Sequence, residues 1–537
     1  DEDGEERTVI AWIWARTVQC PNPACGCKLP LANSFTLSKK RNNQAYIKPI
    51  IKNKSISYTI SEEYKNIVEP KIGRGKFKCI TCDSPVHLNY IRDEAKAKRM
   101  NSQLLAIVAE GQGQRLYFPP KEYHVDIANI AKPEDSPNGS LSGKSKVNVG
   151  TYGFKELNEL FTNRQLKCLL TLSELISETQ RKIEEDCGSK EYARALGVYL
   201  SFVVDKQVDF SSTITTWINI SQSIRSTFAR QAIPMTWDYA EVNVFSNSSG
   251  SFSNMLNMVV KSLENLPAKG SDSEAIQANA MYGASRSNVM VSTDPPYYDN
   301  ISYADLSDFF YIWLRQSLKE NYPTLFQTLL VPKAEELVAT PYRFSGDKRK
   351  AREFFELGML STFSQINKCV REDIPTTVYY AYKQSEKDTE DEKTSTGWET
   401  MLSAIIQSGF VITGTWPIRT ERGGRMIGNN ANALASSIVL VCRKRSKDAL
   451  VCSRRDFINA LKRELKPALD KLQAFNIAPV DMAQSAIGPG MAVYSRYSKV
   501  LEANGEAMTV RSALQIINQE LDLYFSDQDG ELDSDSR

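Results

Sequence analysis

Histidine is nearly absent from this chain, with two in 537 residues. One of them, His87, stands five residues past Cys82. That is outside good ligand spacing, and it is read as structural. No run of eighteen apolar residues occurs, so a membrane-spanning helix is not expected and the partners do not include a membrane. No N-terminal segment has the charged, apolar and small-residue parts of a secretory signal. There is no internal repeat. Formal net charge is only +2, which excludes a whole-chain basic signature, so any nucleic-acid surface is local. The ten cysteines lack the even spread of a disulfide framework. Part of them cluster and the rest stand singly, which favours a metal site in a reducing, cytoplasmic compartment.

What is present is a soluble globular composition, 42% apolar and 24% charged, long enough for two to four domains. Both ends are acidic and are read as solvated tails. Pattern divides the chain into 1–130 around the cysteine pairs, a Pro/Gly/Ser-rich linker at 131–150, a mostly helical region at 151–266, a strand-and-helix region at 267–450 and a helical extension at 451–537.

Cys20 and Cys25 have four residues between them, and Cys79 and Cys82 have two. Each pair can put two thiolates on one metal ion, and together they close a four-sulfur zinc site with no open position. Such a site is structural, and its metal supplies folding energy to a small module. Cys27 is the spare, able to replace Cys25 if the knuckle folds differently. The insert between the pairs alternates over Tyr46–Ile51 and Ile56–Ile60, which predicts strands. It is basic at Lys39, Lys40, Arg41, Lys71, Arg74, Lys76 and Lys78. A phosphate-contacting surface and a solvated ribbon face are both open readings.

Further along, Thr8–Val18 reads as a strand or short helix, and Lys96–Glu110 as a helix. Thr162 or Asn163 caps a helix, and a second runs over Glu191–Val208. The Ser/Asn/Gly-rich loop Ala240–Gly250 is either a ligand-facing wall or a packing loop. Phe252–Leu266 and Tyr303–Leu318 are helical, the latter with a core stripe. Glu274–Ala280 reads as a short strand. Thr376–Tyr382 is a strand, and Phe410–Trp416 with Ser437–Arg443 is an antiparallel pair. Pro467 is expected to interrupt a helix over Phe457–Leu472, and Ile487–Met491 reads as a tight turn.

The chain is organised around Val291–Asn300. An apolar lead ends in Asp294-Pro295-Pro296-Tyr297, as when a buried strand delivers side chains to a site at its C-terminal edge. The two prolines fix two φ angles and remove two donors, and Pro295 keeps Asp294 out of the helical region. A carboxylate, prolyl carbonyls and a ring held in one stiff turn can grip a planar amino-bearing group.

This tetrapeptide resembles the catalytic motif of amino-group DNA methyltransferases, and its Asp/Tyr form leans towards adenine N6. With the run to Leu318, Thr396–Leu402 and Ala433–Cys442, the chain resembles the large prokaryotic adenine-specific DNA methylases that carry a zinc ribbon. The resemblance implies an α/β fold, an incomplete Rossmann-like methyltransferase sheet with an inserted zinc ribbon and helical region. It implies S-adenosylmethionine and zinc as cofactors and double-stranded DNA as partner. Asp294, Pro295, Pro296 and Tyr297 would be catalytic. Tyr298, Asn300, Arg419, Arg422 and Arg425 would meet the substrate, and Asn279 with Asp294 the cofactor. The target base would be flipped out. One departure stands out: the family's Phe-x-Gly-x-Gly cofactor turn has no counterpart here. In the family it precedes the ribbon. This chain therefore reads as the C-terminal majority of a longer methylase, its cofactor turn supplied by an N-terminal segment or subunit. The alternative is a non-catalytic zinc-ribbon nucleic-acid-binding protein on the same scaffold.

Overall fold

A computed structural model describes residues 4–266, 273–283, 286–298, 301–380, 396–419, 436–474 and 479–530. It is a mixed α/β fold of several small sheets and helices. The chain divides into two compact units, Asp1–Ser273 with Ser302–Lys333, and Glu274–Ile301 with Ala334–Arg537.

In the first unit, strands β1 (Val9–Gln19), β2 (Lys28–Leu31), β3 (Thr36–Lys40), β4 (Asn43–Lys52), β5 (Ser55–Ser61), β6 (Lys71–Gly73), β7 (Lys76–Lys78) and β8 (Pro85–Val86) precede helix α1 (Leu88–Lys96). They are followed by β9 (Asn101–Glu110), β10 (Arg115–Phe118), β11 (Thr216–Ile218), β12 (Ser223–Arg225) and β13 (Asp238–Val242). The central sheet runs β10-β9-β1-β13, with β2 also on β1, all antiparallel. The insert forms two three-stranded sheets, β3-β4-β5 and β6-β7-β8, so the strands expected at Tyr46–Ile51 and Ile56–Ile60 are present.

Lys96–Glu110, expected as a helix, is a correction: Asn101–Glu110 is strand β9. Leu104 to Ala109 is an unbroken apolar run, and such a run has no period that separates helix from strand. Pairing with β1 and β10 settles it, and both faces are buried. Leu105 and Val108 join one apolar cluster, and Leu104 and Ile107 another with Trp14 and Tyr239.

Helices α2 (Glu122–Ala128), α3 (Gly143–Lys146), α4 (Asn163–Cys187), α5 (Lys190–Phe210), α6 (Phe252–Glu264) and α7 (Tyr303–Leu318) complete this unit. Thr162 caps α4, its hydroxyl accepting from Gln165 N–H at 3.1 Å. Residues 131–150 are packed rather than a bare tether. Leu141 and Ser145 are buried, and Leu141 N–H donates to the Lys155 carbonyl at 2.8 Å. The core stripe of α7 lies against this unit: Phe309 stacks on Phe161 at 5.3 Å, and Trp313 meets the same ring edge-on at 5.5 Å.

The second unit holds β14 (Ser292–Thr293), β15 (Thr376–Tyr380), β16 (Phe410–Arg419), β17 (Ser436–Lys444), β18 (Val451–Ser453) and β19 (Lys499–Leu501). Its helices are α8 (Lys348–Cys369), α9 (Thr396–Gln407), α10 (Arg454–Ala474), α11 (Pro479–Ser495) and α12 (Val510–Gly530). The main sheet runs β14-β15-β17-β16, with β14 parallel to β15 and the other pairs antiparallel. The antiparallel pair expected at Phe410–Trp416 and Ser437–Arg443 is therefore present.

Three expectations here are corrected. Glu274–Ala280 is not a strand but an irregular approach to a 3₁₀ turn. Ile276 is 67% exposed, so the segment has no apolar face to bury. Pro467 does not interrupt α10. It removes one backbone donor, and the buried stripe of Leu461, Leu465, Leu469 and Leu472 carries the helix through. Ile487–Met491 is not a tight turn but lies inside α11. Its glycines serve packing: a Cβ on Gly488 would stand 2.0 Å from Thr415 Oγ1, and one on Gly490 2.6 Å from Ile517 Cγ2.

Candidate functional site

Both knuckles of the first unit are built from local turns. Asn22 makes the first. Its carbonyl accepts from Cys25 N–H at 3.0 Å and Gly26 N–H at 3.1 Å, and Cys20 N–H donates to the Cys27 carbonyl at 2.8 Å. The left-handed residue at its end is Gly26, φ +61°, where glycine has no Cβ penalty. In the second, Cys79 N–H donates to the Ser84 carbonyl at 2.8 Å and Asp83 N–H to the Cys79 carbonyl at 2.9 Å.

These turns bring Cys20, Cys25, Cys79 and Cys82 together, with all four sulfurs within 4.8 Å of one another. Cys20 Sγ lies 3.7 Å from Cys82 Sγ, and Cys25 Sγ 3.8 Å from Cys79 Sγ. A tetrahedron with zinc–sulfur bonds of about 2.3 Å has edges of about 3.8 Å, so the cluster is compatible with a structural zinc site. Cys27 is buried in the same place, its Sγ 3.4 Å from that of Cys79. The group able to hold a metal uses Cys25 rather than Cys27. Burial pushes the Cys20 thiol up and the Cys27 thiol up to about 12. The Ser84 hydroxyl, 3.2 Å from its sulfur, draws Cys82 down to about 6.

The Asp-Pro-Pro-Tyr turn lies in the second unit. Strand β14 pairs in parallel with β15, Ser292 opposite Thr377 and Thr293 opposite Val378, and Asp294 follows directly at its C-terminal end. Asp294 is exposed and Pro295 buried, while Pro296, Tyr297 and Tyr298 are half-buried. The Tyr297 ring stands edge-on to Tyr380 at 5.2 Å, and Tyr380 stacks on Trp398 at 5.6 Å. Tyr298 meets Phe355 edge-on at 5.2 Å, and its carbonyl accepts from Ala339 N–H at 2.7 Å. Gly397 closes the group, since a Cβ there would stand 3.2 Å from Tyr298 Cβ and 3.4 Å from the Tyr380 hydroxyl. The turn is thus supported by residues from β15, α8 and α9. Tyr380 and Phe355 were not singled out from sequence, and only their place in aromatic-rich, strand- or helix-like segments marked them.

The other expected site residues fare differently. Asn279 caps the 3₁₀ turn, its Oδ1 accepting from Met281 N–H at 3.0 Å, and its buried Nδ2 has no partner among the described residues. Arg419 ends β16, and Asn300, Arg422 and Arg425 lie outside the described residues. The loop after β13 is an internal seam: Ser246, Ser248 and Ser251 are buried, Arg115 donates to Ser248 Oγ at 2.7 Å, and Gln207 to the Gly250 carbonyl at 2.8 Å.

Although the side chain is exposed, desolvation by its neighbours raises the Asp294 carboxyl from its ordinary value. A carboxyl with a raised folded pKa binds its proton more tightly in the folded chain than in the unfolded one. Stability is then lost as pH rises from the unfolded pKa through the raised one. Asp294→Asn is therefore expected to leave Tm unchanged or slightly raised at pH 7. Melting the variant and wild type at pH 4 and pH 7 checks this, and a Tm lowered only at pH 7 would contradict it.

Comparison with protein-family models, with curated proteins and with solved structures finds no match to this chain.

Proposed function

We propose that this chain is a zinc-ribbon nucleic-acid-binding protein built on part of an amino-methyltransferase scaffold. The observation that carries the reading is a four-cysteine centre inside a strongly cationic module. Residues 20–87 hold twelve lysines and arginines against four acids, an excess of eight in a chain whose net charge is +2. Exposed cations stand at hairpin ends: Lys39 and Lys40 at the end of β3, Arg41 in the turn to β4, Arg74 in the β6–β7 turn and Lys76 at the start of β7. Zinc bound by the four thiolates would fix these short hairpins, which have little core of their own. Cations so fixed suit a phosphate backbone, where contacts position a protein without reading sequence.

Methyl transfer to an exocyclic amino group, adenine N6 above all, is the second reading. The turn at Asp294 favours it. Its place at the end of a parallel strand, and the order β14-β15-β17-β16 with an antiparallel closing pair, suit an incomplete Rossmann-like methyltransferase sheet. Asp294 and the Pro295 carbonyl would accept the two amino hydrogens of a flipped base, with Tyr297 against its face. The gain would be positioning. S-adenosylmethionine does not fit the described residues: none forms a glycine-rich turn between a strand and a helix, and Asn279 spends its carbonyl oxygen on a cap. No step is derived through it. Residues outside those described, or a partner, would have to hold it.

Duplex-DNA binding by the metal-loaded protein, with and without chelator, tests the first reading. Binding that disappears with the metal is expected, and no binding by the loaded protein would sink it. Tritiated methyl transfer in the same samples, abolished by Asp294→Ala, would install the second reading in its place.

A further inference from the structure

Helix α1 follows the second cysteine pair and the short strand β8, and carries cations that the cysteine cluster does not use. Its Arg92 and Lys96, with Lys146 from α3, line a solvent-open cleft of about 560 Å³. No acidic residue is among those lining it. Gly143 and Gly150 line it too, and a Cβ on Gly150 would stand 2.6 Å from Lys146 Cγ. The glycine is what lets that lysine lie where it does.

Arg92 is anchored. Its guanidinium sits 5.8 Å from the centre of the Tyr152 ring, and Nη1 donates to Asn89 Oδ1 at 3.1 Å. Its Nε is buried and has no hydrogen-bond partner among the described residues. An oxyanion entering the cleft would be met by Arg92 and would neutralise the lysines beside it. Phosphate suits this set: arginine and lysine are the side chains that recognise it, by directed N–H donors and by point charge.

We infer that this cleft is a phosphate site for a nucleic-acid backbone, extending the ribbon's contact onto α1. The inference rests on the nucleic-acid reading above. A backbone phosphate is favoured over a free nucleotide because the lining offers three cations but no aromatic face for a base.

The test uses the full zinc-loaded chain and duplex DNA in a salt series, read by fluorescence anisotropy. The double variant Lys96→Glu/Lys146→Glu changes two exposed side chains and is expected to stay folded. If each lysine neutralises one phosphate, the slope of log K against log salt falls in magnitude by roughly 1.8. Affinity is expected to drop at least about tenfold at low salt. Arg92→Gln should weaken binding in the same direction, and Lys319→Glu, an exposed lysine outside the cleft, should not change it. An unchanged slope and affinity in the double variant overturns the cleft while leaving the nucleic-acid reading intact. No DNA binding by wild type overturns both. A parallel calorimetric arm uses inorganic phosphate. Phosphate binding lost in the double variant, with DNA binding intact, would give the cleft to a free phosphate compound and overturn the backbone assignment.

Discussion

Replacing Cys79 by serine is expected to abolish metal binding and to unfold the module between β2 and α1. Elemental analysis of the purified chain should find one zinc per wild-type molecule and well below half of one in the variant. Structural zinc in small modules contributes on the order of 10–16 kcal/mol to folding, far more than the apolar core of three-stranded hairpin sheets. Cys79 is also central to the cluster: its sulfur is 3.8 Å from Cys25 Sγ and 3.4 Å from Cys27 Sγ. Limited proteolysis should then cut within residues 41–78. Full zinc occupancy with unchanged proteolysis would show the four sulfurs to be an apolar cluster of thiols. Cys25→Ser gives a sharper result, because Cys27 is buried nearby. Retained zinc there, lost only in Cys25→Ser/Cys27→Ser, would show Cys27 taking over.

The second large effect concerns α11. Gly488→Ala is expected to destabilise the second unit by about 3 kcal/mol, the upper end of ordinary overpacking. In an exposed helix the same change would stabilise by up to about 1 kcal/mol, so the sign itself is diagnostic. The added Cβ would stand 2.0 Å from Thr415 Oγ1, 2.2 Å from its Cγ2 and 2.6 Å from its Cβ. Thr415 cannot simply turn away, because its hydroxyl donates to the Ser485 carbonyl at 2.8 Å. Thr415→Ala added to Gly488→Ala removes the two nearest atoms and should recover part of the loss, leaving the Cβ–Cβ approach. Thermal melts of the two single variants and the double read the coupling. A Gly488→Ala protein as stable as wild type would mean that the helix and β16 are not in contact there.

The elements legible in sequence were those with a local cause. Thr162 announces α4 because a hydroxyl before a helix accepts an end N–H, as it does here. The two cysteine pairs announce by spacing alone a cluster compatible with a metal site. The alternation of β4 and β5, the stripe of α7 and the apolar strands β15 and β17 were also plain. What misled was local signal overruled by packing. Leu104–Ala109 has no useful period, and only its neighbours on both sides make it a strand. Gly488-Pro489-Gly490 has turn chemistry, yet a strand and a helix press on those glycines and keep the segment helical. The candidate base site was half legible. Asp294 to Tyr297 stood out, whereas Tyr380, Phe355 and Gly397 support the turn through contacts that no single stretch of sequence displays.

Helix α7 belongs to the first unit although 28 residues of the second, Glu274–Ile301, precede it. On the ribosome this sets an order of events. When Ser273 has been made, the first unit still lacks the Phe309 and Trp313 rings that close over Phe161. Synthesis must run on to about Lys333 before the piece is whole, roughly 3 to 12 seconds more at typical elongation rates. For that interval Phe161 waits on a nascent chain for both rings, and the beginning of the second unit is made before the first is finished.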